Sequence, residues 1–252
     1  MIPNMRRFAL FILLFTTISI NIVHAQTPTA LQKYISAAEL AMDNEKSDEA
    51  IVYLKKAIEI APDNFVPYYL LGSVYIFVND SNNAVKYYND VLNLINTNTI
   101  SQKFHECFGH SEDVSYRKIM TEMYDVLAEH YKTIGQIKLA KRYNNLNIQL
   151  NIASGYKIPV VSSLERIYLC YAEENKWNEC LEYFDEILMV IPTGSAWGMC
   201  EAVCHAAMGD CYAQLGNESK MISEYQQAAR LGHLGAINIL KNAEIVIDKS
   251  SS

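Results

Sequence analysis

The fold is decided by residues 68–91, which read YYLLGSVYIFVNDSNNAVKYYNDV. Two sets of residues there recur at spacings of three, four and seven: Tyr68, Leu71, Gly72 and Tyr75, then Ala84, Tyr88 and Val91. Such spacings place each set on one stripe of a helix. Gly72 and Ala84 are small enough to let two helices touch, and Asn79 between them tolerates the left-handed backbone of a turn. The stretch therefore predicts an antiparallel pair of helices.

The same pattern recurs along the chain. In the preceding unit, 34 residues earlier, Ala38 and Ala50 take the places of Gly72 and Ala84. Repeat units are predicted near residues 31–64, 65–98, 121–154, 161–194 and 202–235, with an insertion at 99–120 and a terminal helix at 235–247. Turn and helix-end residues support these bounds: Asn79, Gly135, Asn175 and Gly216 between paired helices, and Pro62 and Pro192 after second helices. A repeat of this length indicates a solenoid, in which each unit buries its apolar stripe against its neighbours.

These units resemble the tetratricopeptide repeat (TPR) over most of residues 31–233. The resemblance implies an all-α fold, namely a right-handed superhelix of about five antiparallel helix pairs with a C-terminal covering helix. It also implies a role in binding other proteins. The last unit, with Ala228, Ala229 and Gly232, is similar to the Sel-like repeat as well. The third unit departs from the pattern, since Asn144 and Asn147 stand where its second helix should be apolar.

The first 25 residues have the pattern of a secretory signal peptide. Arg6 and Arg7 form a basic start, an apolar stretch follows at 8–22, and Ala25 precedes the expected cleavage site. An uncleaved membrane anchor is the alternative, but the stretch is shorter than the roughly 20 residues that a spanning helix needs. We therefore expect residues 26–248 to form an exported repeat domain, periplasmic, cell-surface or secreted, with no membrane span after cleavage.

The insertion at 99–120 holds an unusual polar cluster. His105, Cys107 and His110 lie within six residues, and imidazole and thiolate both suit zinc. Their spacing matches no known zinc signature. Two interpretations remain open: a polar connector, which is the favoured one, or a metal-binding or redox-responsive site.

The remaining composition argues against catalysis and nucleic-acid binding. The formal net charge is −7 without a cluster of basic residues, whereas phosphate binding needs clustered Lys and Arg. No nucleophile elbow, phosphate-binding loop or zinc-protease motif occurs, so we expect neither an enzyme nor a cofactor. The six cysteines fall mostly at helix-packing positions, which favours buried thiols, although a single bridge involving Cys180 is left open.

The first helix of each pair is expected to line a concave groove. The second unit should contribute an apolar patch, and the third and fourth an acidic strip that suits a basic or amphipathic protein or peptide. A merely solvated helix face is the alternative for the acids. The predicted groove residues are Tyr69, Ser73, Phe77, Glu122, Asp125, Glu129, Glu165, Glu173 and Asp210.

Overall fold

The computed structural model describes residues 29–96 and 112–245, which form eleven helices and no strand. The all-α prediction is confirmed. The chain divides into two compact units, the first ending at Tyr116 and the second beginning at Arg117, and each is described by itself. Within the described ranges, no helix is long and apolar enough to cross a lipid bilayer.

The first unit consists of two helix pairs. Its helices are α1 (Ala30–Asp43), α2 (Ser47–Ile60), α3 (Phe65–Phe77) and α4 (Ser81–Asn96). The side chain of Thr29 caps α1, and that of Asn64 caps α3 by accepting from the backbone N–H of Val66 at 2.9 Å. As predicted, α2 ends just before Pro62.

Small residues set the distance between paired helices. Ala38 and Ala50 are fully buried in the first pair. In the second pair a β-carbon at Gly72 would overlap the ring of Tyr88, so only glycine lets α3 lie this close to α4. The predicted close approach at Gly72 is therefore confirmed, and the side chain that it accommodates is the ring of Tyr88.

The second unit continues with helix pairs and ends on a short helix. Its helices are α5 (Glu112–Thr133), α6 (Ile137–Ala153), α7 (Lys157–Glu173), α8 (Trp177–Val190), α9 (Gly198–Gln214), α10 (Glu218–Arg230) and α11 (Leu234–Asn242). The predicted insertion at 99–120 is described only from residue 112 onward, where it extends the first helix of the third pair. Ala236 and Leu240 of α11 are buried against α10, as a covering helix requires.

The turns between paired helices share one geometry. Asn79, Gly135, Asn175 and Gly216 all have positive φ, as predicted, and Glu45 takes the same place in the first pair with φ 59°. The next residue donates its backbone N–H to a carbonyl five residues back, for example Asp80 to Tyr75 at 2.8 Å. This closing bond satisfies a carbonyl that the end of a helix leaves free.

Aromatic side chains line both units. Tyr87 stacks on Tyr75, and Tyr143 stacks on Tyr131, each with ring centroids 5.6 Å apart. Both tryptophans belong to the second unit, where Trp197 is buried in the main apolar cluster and Trp177 packs against it. Stacked tyrosines thus occur in both units, whereas both tryptophans lie in the second unit.

Candidate partner-binding surface

The apolar patch predicted in the first unit lies largely inside it. Tyr69 is only 3% exposed and stacks on Tyr88, with ring centroids 6.1 Å apart. Ser73 is buried, and its hydroxyl shares a hydrogen bond of 3.0 Å with the Tyr88 hydroxyl. Phe77 is half-buried and has contacts of its own. Tyr69 and Ser73 therefore pack inside the first unit, and little of their surface is accessible to a partner.

A different residue of the first unit stands out. Glu39 of α1 is half-buried, and burial, followed by the nearby charge of Asp43, raises the pKa of its carboxyl group to about 7. No cation pairs with it among the described residues. The sequence alone gives no sign of this desolvation.

The acidic strip of the second unit is partly neutralised by cations on neighbouring helices. Arg166 of α7 forms an ion pair with Asp125 of α5, and Lys132 of α5 lies 3.3 Å from Glu173 of α7. Both pairs join residues 41 positions apart, so α5 and α7 run side by side in one register. Two of the predicted acids are therefore engaged within the fold.

Glu129 and Glu165 remain exposed and carry no ion pair among the described residues. Glu129 of α5 and Leu169 of α7 hold equivalent places in successive repeat units, 40 residues apart, and the side chain of Leu169 is 44% exposed. Glu165 precedes Leu169 by one turn of the same helix. Two exposed carboxylates and one exposed apolar side chain therefore lie on these two neighbouring helices.

The two remaining predicted acids are engaged in other ways. Glu122 of the strip is half-buried and has interactions within the fold. Asp210, in the fifth unit, accepts a hydrogen bond of 2.5 Å from the Tyr225 hydroxyl, and after burial its charge contributes to raising the pKa of Tyr168. Asp210 therefore interacts with residues of α7 and α10 and is poorly placed to hold a partner.

A buried polar network connects α5, α6 and α7. Asn144, Asn147 and Asn151 of α6 are at most 1% exposed. Asn147 donates to Asp125 at 2.6 Å, and Asn144 accepts from the Nε of Arg166 at 2.8 Å. Sequence reasoning noted the first two asparagines but missed Arg166. Buried amides require partners, so the asparagines on an apolar stripe were the available signal.

The metal candidates His105, Cys107 and His110 lie outside the described residues. Among the residues that the structure describes, no group of three His, Cys, Asp or Glu side chains could hold a metal ion. Five cysteines are buried free thiols, and burial raises the pKa of Cys200 to about 11. Cys180 and Cys211 are both fully buried, and interaction with Cys211, followed by burial, raises the pKa of the Cys180 thiol.

The helix pairs are similar to those of known TPR-like proteins. A family model described as ChAPs (Chs5p-Arf1p-binding proteins) matches residues 18–151, just over half of the chain. The crystal structure of MamA protein is 16% identical, with a TM-score of 0.52 over 87% of this chain and 98% of that one. YrrB, described as a TPR protein with an unusual peptide-binding site, is 20% identical, with a TM-score of 0.51 over 90% and 97%.

These structural likenesses establish a TPR-like solenoid fold. No curated protein matches the chain in sequence. The Sel-like character of the last unit stays a prediction.

Proposed function

The chain belongs to the ChAPs (Chs5p-Arf1p-binding proteins) family, and on that premise we propose that it is a scaffold that binds a protein or peptide partner. The family description names protein partners, and the TPR-like fold suggests an interaction module. The peptide-binding site for which YrrB is described is consistent with this role. We propose binding rather than catalysis as the activity.

The observation that carries the proposal is the pair of exposed carboxylates, Glu129 and Glu165, on the neighbouring helices α5 and α7. Arg166 and Lys132 already neutralise Asp125 and Glu173, so the negative charge left on this face belongs mainly to Glu129 and Glu165. Exposed carboxylates together with an exposed apolar side chain such as Leu169 suit a segment that combines basic and apolar residues. We therefore propose a basic, amphipathic peptide as the partner of the α5–α7 face.

Peptide binding tests this assignment directly. An array of amphipathic basic peptides, with acidic counterparts of the same apolar pattern, would be screened against the full protein. Glu129→Lys combined with Glu165→Lys should weaken binding of the best basic peptide by about tenfold or more, because two attractive charges become repulsive.

The control variant is Glu182→Lys combined with Asp185→Lys, which makes the same change of charge at exposed positions of α8. It should leave the affinity nearly unchanged. An equal loss in both double variants would mean that only net charge matters, and it would remove the site from α5 and α7.

We further propose that the protein works outside the cytoplasm, as residues 1–25 suggest. Fractionation of the producing cell and N-terminal sequencing of the mature chain check this. A mature chain starting at Gln26 is the expected result, and a chain that keeps Arg6 and Arg7 in the cytoplasmic fraction would contradict it.

A further inference from the structure

Arg117 of α5 is a buried arginine whose surroundings are incomplete. Its side chain is 8% exposed, and its guanidinium lies 3.3 Å from the ring centroid of Tyr156. Nη1 donates to the side-chain carbonyl of Asn151 at 3.2 Å. Nε is buried and has no acceptor. Burying a donor without a partner costs about 1–3 kcal/mol, and more for a charged group.

The partners that Arg117 has are neutral and fixed in place. The amide nitrogen of Asn151 donates to the Thr121 hydroxyl at 3.0 Å and to the Asn147 carbonyl at 2.9 Å. This arrangement turns the amide oxygen of Asn151 toward Arg117. The guanidinium is therefore held by a hydrogen bond at Nη1 and by an aromatic ring on its face, while its buried Nε has no acceptor.

Among the side chains that the structure describes, no carboxylate pairs with Arg117. Within the described part of the second unit, every ion pair uses another cation, and none includes Arg117. Lys118 adds a second positive charge. Burial is the main cause that lowers the Lys118 pKa, the Glu122 charge opposes the shift, and repulsion from Arg117 contributes to it. Positive charge is thus concentrated at one place of a chain whose net charge is −7.

Arg166 belongs to the same network, and its partners include a carboxylate. It donates to Asn144 and to the Ser163 hydroxyl, and it also pairs with the carboxylate of Asp125. In Arg166 the Nε donates to the amide and Nη2 pairs with the carboxylate. In Arg117 the amide contact is made by Nη1, and Nε has no acceptor.

We propose that Arg117 and Tyr156 form a carboxylate-binding site, which takes an Asp or Glu side chain of a partner. A carboxylate matches the edge of a guanidinium that includes Nε, because two parallel N–H donors meet its two oxygens. Tyr156 is 41% exposed and lies in the short connection between α6 and α7, so its ring covers the site from outside. Entry of the carboxylate displaces this ring from its present position over Arg117.

The site is independent of the proposed basic peptide, since it recognises the opposite charge. If both hold, the partner carries an acidic residue in addition to its basic ones. Failure of the peptide at Glu129 and Glu165 leaves the carboxylate site standing, and the reverse is also true.

The test uses the full protein labelled with ¹⁵N on arginine side chains. The chain has six arginines, so substitution assigns each Nε–H signal in an NMR spectrum. N-acetyl-glutamate amide would be titrated at constant ionic strength, with N-acetyl-glutamine amide and inorganic phosphate as separate titrations. The expected result is a saturable shift of the Arg117 signal with the glutamate compound alone, while the signal of exposed Arg142 stays in place.

Two variants complete the test through thermal unfolding. The glutamate compound should raise the Tm of the wild type and of Arg142→Lys, but it should raise that of Arg117→Lys much less, because lysine cannot form the two parallel bonds. An affinity about tenfold lower in Arg117→Lys is expected. A missing shift, an equal shift with the glutamine compound, or saturation by phosphate alone would each overturn the carboxylate assignment.

Discussion

The helix pair α3–α4 of the first unit and the pair α5–α6 of the second unit have the same backbone arrangement, but several corresponding interface positions carry side chains of different polarity. Residues 56 positions apart correspond, so Gly72 matches Ala128 and Ala84 matches Ala140. The α3–α4 interface is filled by apolar and aromatic side chains, whereas the α5–α6 interface carries polar side chains at five of the corresponding positions and keeps apolar ones such as Leu127 at others. The corresponding residues are Phe65 and Thr121, Tyr69 and Asp125, Tyr88 and Asn144, Val91 and Asn147, and Ile95 and Asn151.

The comparison shows which features specify a helix pair of this kind. Both pairs keep a small residue on each helix and a left-handed residue at the turn, Asn79 in one and Gly135 in the other. At the other interface positions, the first pair uses apolar side chains. The second pair also uses buried amides, and each amide has hydrogen-bond partners. The buried amides of α6 are tolerated in this interface because each of them has hydrogen-bond partners.

We expect the largest loss of stability when a residue of one pair is replaced by the corresponding residue of the other. Asn147→Val removes a donor to Asp125 and an acceptor for Asn151, and Val91→Asn places an amide in an apolar interface. Each change should lower the free energy of unfolding by about 3 kcal/mol. Urea unfolding followed by far-UV circular dichroism measures it. If Asn147→Val proves neutral, the polar network does not stabilise its pair and the comparison fails.

The small residue of the apolar pair should be the next most sensitive position. Gly72→Ala drives a β-carbon into the ring of Tyr88, which is fully buried, and should cost about 2 kcal/mol despite the better helix propensity of alanine. Gly198→Ala in α9 is the matched control, because its β-carbon would meet Leu231 at an ordinary 3.6 Å. The control should be neutral or slightly more stable in the same urea experiment, and equal losses in both variants would refute the steric argument.

The smallest effect concerns the unpaired Glu39 of the first unit, in contrast to the paired Asp125 of the second. Folding raises the pKa of Glu39 from 4.5 to about 7, so the native state holds its proton more tightly than the unfolded state does. Stability associated with this group is therefore present below pH 4.5 and is lost as the pH rises through 7. Glu39→Gln should remove that decline.

Urea midpoints between pH 5 and 8 check this prediction. Relative to the wild type, Glu39→Gln should gain stability as the pH rises, whereas Glu59→Gln, at an exposed position of α2, should follow the wild type. Parallel curves for all three proteins would show that Glu39 is not desolvated in solution.

The sequence predicts the helix pairs well because their determinants are local. Spacing, small residues and turn residues such as Gly135 and Asn175 act within one pair, and the structure confirms them. The candidate surface depends on contacts between residues far apart in the chain. The ion pair between Arg166 and Asp125 and the inward position of Tyr69 against Tyr88 both depend on the rotation of each helix about its own axis. A rotation of one third of a turn decides whether a side chain lines the groove or is buried in the core.

The placement of the tryptophans gives the protein a built-in optical label. Trp177 and Trp197 both belong to the second unit, while stacked tyrosines occur in both units. Tryptophan fluorescence will therefore report the melting of the second unit alone, and far-UV circular dichroism will report the melting of both. Superimposable transitions would identify a single cooperative block, and separated ones would give each half of the chain its own melting curve without any cleavage or labelling.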